Sequence, residues 1–229
     1  HMGASKKAKG AAKKGGGGGR RESDAFDMFA SFNRGVEQMQ AGSVAEAAAV
    51  FAQCYVEALK VVTNRPDDAD PDKVAAIEGC MFECLVYRAA CLQASRTQPA
   101  AVEGMANLEK AVLLAKEPQP LCKALEQLAH VEGRCYRHSR RLQTARRLLE
   151  VAPACSDSSQ EEFKVEGMLH QGAALLGLGR HTEAIPVLEE AQRIAKAAGT
   201  GAVEGRACNA LVEAHLQSRD GVEPARKAA

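Results

Sequence analysis

From residue 161 to 177, apolar and small residues recur at helical spacing: Phe163, Val165, Met168, Leu169, Gly172, Ala173, Leu175 and Leu176. This periodicity predicts an amphipathic helix. Gly177 and Gly179 break it, and Thr182 with Glu183 can start a second helix through Ala184, Val187, Leu188, Ala191 and Ile194, closing at Gly199. Pro186 falls near the start of that second helix, where a missing N–H costs least. The unit is therefore a helical hairpin, and small residues at 172, 173, 174, 184 and 191 let its two helices approach closely.

The same spacing returns elsewhere. The stretch "RGVEQMQAGSVAEAAAVFAQC" places Gly35, Gly42, Ala47, Phe51 and Cys54 in one frame, and "VEGRCYRHSRRLQTARRLLEVA" places Gly133, Tyr136, Ala145, Leu149 and Ala152 in it. Aligned on one small residue, successive hairpins fall near 47, 104, 145, 184 and 225, and the last four are 41, 39 and 41 residues apart. The first interval, 57 residues, is longer and contains the expected loop "TNRPDDADPDK". The second frame fits less well, with Gly104 where Ala is expected and Leu92 and Ser95 at the Gly and Tyr positions; in the last, Val212 and His215 replace Gly and Tyr, and Pro224 interrupts the second helix.

This pattern resembles the tetratricopeptide repeat (TPR), with a period near 40 similar to the subtype in kinesin light chain, rapsyn and the Pins/LGN spindle-orientation scaffolds. The resemblance covers roughly residues 26 to 229 and implies an all-α superhelical solenoid of about five hairpins, the last incomplete or capping. It also implies a concave groove, lined by the first helix of each hairpin, that binds a peptide or helix of another protein.

Composition agrees with the helical reading. Aromatics make up 4% of the chain and Trp is absent, so strand formers are scarce while Ala and Leu are plentiful. The net charge of +1 conceals an asymmetry: residues 1 to 21 carry seven bases and no acid, leaving 23 bases against 29 acids in the remainder. His1 reads as a cloning remnant, and residues 1 to 25 are expected to form a disordered Gly/Lys-rich arm. A myristoylation reading of Gly3 is weakened by Lys7, where Ser or Thr is required. No apolar run reaches the length of a membrane span, and the expected location is cytoplasmic, with cytoskeletal association a further option.

Eight irregularly spaced cysteines do not form the pattern of a small disulfide framework, and reduced thiols are expected. Cys80, Cys84 and Cys91 share one helix face; apolar packing is the plain reading and a metal or redox cluster the sharper one. No CxxC or matching His spacing supports zinc, and no cofactor is expected.

Groove positions carried over from the resemblance put Gln127, His130, Arg134, Arg137 and His138 on the third hairpin, with Arg141 at the adjacent turn. The fourth contributes Glu166, Leu169, His170 and Leu176, the fifth Arg206, Asn209, Glu213 and Gln217, and the first Phe32, Asn33, Val36, Met39 and Gln40. Six arginines and one histidine lie between 134 and 147 without an acid, a pattern suited to carboxylate recognition by guanidinium forks. The competing reading pairs Arg140, Arg141, Arg146 and Arg147 with the acidic stretches "DDADPD" and "SDSSQEE". The expected partner is a protein with an acidic segment, with homo-oligomerisation the alternative and no small-molecule substrate. A chaperone-type carboxylate clamp is disfavoured because Phe32 and Val36 occupy its Lys and Asn positions, although a shifted clamp would use Arg134, Arg206 and Asn209. Nucleic-acid binding through the arm and the Arg cluster is disfavoured by the scarcity of aromatics. The dispersed histidines, without HExxH, phosphate loop or nucleophile elbow, argue against an enzyme.

Overall fold

The computed structural model describes residues 27–227, and all the regular structure within that range is helical. The helices are α1 (Met28–Gln40), α2 (Val44–Thr63), α3 (Pro71–Ala94), α4 (Gln98–Leu114), α5 (Pro118–Arg134), α6 (His138–Val151), α7 (Asp157–Gly177), α8 (His181–Ala197) and α9 (Gly201–Lys227), with a short 3-10 turn at Ala152–Ala154. Each packs on the next, as hairpins stacked into an all-α solenoid require. Odd-numbered helices also touch one another across hairpins, α1 with α3, α5 with α7 and α7 with α9. They form the inner row, and the apolar core divides into three clusters along the stack, one around α1–α3, one from α3 to α7 and one from α6 to α9.

The predicted hairpin 172–199 is α7 and α8. Gly172 lies where an added Cβ would come within 2.4 Å of Leu188, which is fully buried. The first hairpin repeats this contact with Gly35 against Phe51. In both cases a glycine meets a large side chain sixteen residues later, which explains why each crossing needs a residue without a side chain. The aligned small residues Ala47, Gly104, Ala145 and Ala184 are all buried at such crossings.

All four hairpin turns contain one residue with left-handed backbone: Gly42, Arg96, Tyr136 and Gly179. Gly42 and Gly179 lie five residues before Ala47 and Ala184, but Arg96 and Tyr136 lie eight and nine before Gly104 and Ala145. The second and third hairpins thus turn about one helical turn early, so their sequence frame is displaced. Tyr136, which the repeat frame aligned with Gly133, stands in a turn and is 83% exposed.

The loop expected in the long first interval is present at residues 64–70, between α2, which extends to Thr63, and α3, which begins at Pro71, with Asp70 capping the Asp72 N–H at 3.0 Å. One other expectation changes. Pro186 is the sixth residue of α8, beyond the first turn, where it removes an intrahelical hydrogen bond. At the far end α9 runs as one helix through Pro224, and no further helix follows it among the described residues.

Candidate functional site

The inner helices are held in register by contacts between residues about 40 apart. The Lys123 ammonium lies 3.0 Å from the Glu83 carboxylate, the Arg134 guanidinium donates to the Gln93 carbonyl at 3.0 Å, and Arg206 pairs with Glu166. Because the period is 40, equivalent positions on neighbouring inner helices stand side by side. Glu126, Glu166 and Arg206 form one such row, and His130 and His170 another.

These rows meet in a polar cavity of about 240 Å3, lined by Ala90 and Gln93 from α3, Glu126, Gln127 and His130 from α5, Glu166 and His170 from α7, and Arg206 from α9. The His130 and His170 rings stand edge to face, 6.5 Å between centroids. His170 is buried, and its Nδ1 lies 2.9 Å from Arg141 Nη2. A guanidinium can only donate, so Nδ1 accepts and the imidazole proton resides on Nε2. Burial, reinforced by Arg141, His130 and Arg206, pulls the His170 pKa down to about 3, so this ring is neutral at physiological pH. His130 shifts downward for the same first cause, with Arg141 and Arg134 adding to it. Glu126 moves oppositely: burial and the charges of Glu166 and Glu162 push it up to about 7, against the opposing influence of Arg206.

Of the residues anticipated from sequence, Gln127, His130, Glu166, His170 and Arg206 converge on this cavity. Arg134 joins its α3 wall through Gln93, and Asn209 is exposed on the same helix as Arg206. Three others do not line it. Arg137 is the exposed N-cap residue of α6, and the His138 ring packs beneath Gly177, where a Cβ would lie 2.3 Å from it. Arg141 lies behind the cavity, its guanidinium against Gly133 and bonded to His170. The early turn after Arg134 accounts for Arg137 and His138, which the groove frame placed on the first helix of the hairpin; Arg141, expected at the adjacent turn, lies within α6 instead. Leu169 and Leu176, also assigned to the groove, belong to the core. On the first hairpin Phe32, Val36 and Met39 pack partly buried against α2 and α3, while Asn33 and Gln40 are exposed.

The arginine-rich run is less free than it reads. Arg140 reaches Glu109 at 2.5 Å and the buried Glu132 at 3.4 Å, rather than either acidic stretch anticipated for it. Glu132 is further held by the Thr144 hydroxyl, which donates to it at 2.8 Å. Glu126 was not singled out from sequence, although the 40-residue spacing to Glu166 and Arg206 carried the signal.

A larger hollow of about 680 Å3 between α1, α2 and α3 is lined by Met28, Phe29, Val61, Ala76 and Ile77, and its Glu57 and Lys60 pair with each other. Asp27 and Lys73 complete its lining. The basic arm, residues 1 to 25, lies outside the described residues. Among the described residues no helix is long and apolar enough to cross a membrane. No protein-family model matches the chain, and comparison with curated proteins finds no match.

Proposed function

We propose that the chain is a TPR-type interaction scaffold whose inner row of helices binds a segment of a partner protein through an acidic side chain. The observation that carries this reading is the polar cavity spanning four inner helices, with exposed guanidinium groups at its edge. Arg134 has one of its five donors committed to a backbone carbonyl and keeps the others for a ligand carboxylate. Arg206, about half exposed, is held by Glu166 in an orientation that a second carboxylate can approach. The His170 ring is already bonded to Arg141, which favours a role in shaping the wall over proton transfer.

Partner capture from native lysate, read by mass spectrometry, tests this when wild type is compared with Arg134→Glu/Arg137→Glu. Both positions are exposed and outside the hydrophobic core, and because Arg134→Glu gives up the bond to the Gln93 carbonyl, circular dichroism of the variant is measured alongside capture to show that it is folded. The expected result is selective loss of partners bearing acidic segments. Retention of every partner by the folded variant contradicts the assignment.

A further inference from the structure

Beneath the first hairpin is a cluster that the proposed groove does not use. Cys80 and Cys84 occupy successive turns of one face of α3, and the crossing of α2 over that face brings Cys54 to them. The three sulfur atoms all lie within 4.8 Å of one another, and the residues are 0%, 8% and 0% exposed for Cys54, Cys80 and Cys84. Phe51 and Tyr87, each about one turn from a triad cysteine, pack against Phe32 at centroid distances of 5.4 and 5.5 Å, tilted and edge-to-face respectively, and belong to the same apolar cluster. The Cys54 thiol donates to the Met28 carbonyl at 3.1 Å, tying α1 to the cluster. Cys91 lies farther along the same helix and is buried in the same core without joining the triad.

We propose that Cys54, Cys80 and Cys84 form a trigonal thiolate site for a soft monovalent cation, Cu(I). With metal–sulfur bonds of about 2.3 Å, three sulfurs around one ion stand about 4.0 Å apart, within the spacing found here. An all-sulfur donor set selects Cu(I) over hard cations. Structural zinc takes four ligands, and no imidazole or carboxylate accompanies these three sulfurs among the described residues. Binding breaks three S–H bonds, forms three Cu–S bonds and releases three protons to solvent, with no change in oxidation state. Occupancy links α2 to α3 and so clamps the first hairpin onto the second.

The test is anaerobic titration of the reduced full chain with Cu(I) buffered by bathocuproine disulfonate, with X-ray absorption on the loaded wild type. The expected result is a single tightly held Cu(I) with three sulfur neighbours. Cys54→Ala/Cys84→Ala should lose it. Cys122→Ala/Cys155→Ala, which removes a separate buried pair with sulfurs 3.5 Å apart, should retain it. Unchanged binding by the first variant, or loss confined to the second, overturns the proposal. If the first variant loses its helical circular dichroism, the wild-type spectrum decides, because a shell of two sulfurs or one containing nitrogen or oxygen contradicts the trigonal site.

Discussion

At the residue scale, the cavity places two titrations in opposition. Glu126 binds its proton more tightly in the folded chain, from an ordinary value of 4.5 up to about 7, so its stabilising contribution is complete below 4.5 and disappears as pH rises through about 7. His170 resists protonation in the folded chain, from 6.5 down to about 3, so its contribution is complete above 6.5 and is lost as pH falls toward 3. Between about 4.5 and 6.5 the two slopes oppose each other. Relative to wild type, Glu126→Gln should therefore make stability rise more steeply with pH in this window, and His170→Gln should make it fall. Chemical denaturation at a series of pH values measures both, and unchanged slopes would show that neither group is desolvated as described.

At the element scale, helix crossings explain much of what the sequence reveals. Gly172 against Leu188 and Gly35 against Phe51 are legible because a close crossing needs a small residue at a fixed helical spacing from a large one. Gly172→Ala should cost about 1–2 kcal/mol, since overpacking against the fully buried Leu188 exceeds the gain in helix propensity. Gly205 in α9 has open space around its Cβ position, so Gly205→Ala should gain about 0.5–1 kcal/mol. Urea denaturation compares the two, and a Gly172→Ala chain as stable as wild type would contradict the crossing. The ends of α3 and α5 were less legible, because Arg96 and Tyr136 adopt left-handed backbone that sequence patterns reserve for glycine. That displacement moved Arg137 and His138 out of the predicted groove and put Arg141, expected at the turn, inside α6. The Cys54 contact with Cys80 and Cys84 was hidden for another reason: it joins two hairpins, and spacing along one helix does not report on a neighbour.

For the whole molecule, the 40-residue register is the organising quantity. It aligns the inner helices of the all-α solenoid and brings isolated residues on four of them into a single polar cavity. The helical class was legible from periodicity and composition, the stacked-hairpin arrangement from the resemblance, and about half the candidate site from the groove frame; Glu126 required the register to be seen. The far end of the stack leaves Val212 and Leu216 exposed on α9, an apolar margin beside the polar row. Site-specific photo-crosslinking locates the partner most directly, with a benzophenone side chain at the exposed Asn209 of the inner row or at the outer Leu113 of α4, 83% exposed. Partner adducts formed from Asn209 and absent from Leu113 are the result expected of an inner-row scaffold; adducts from Leu113 alone would contradict it and place recognition on the outer helices.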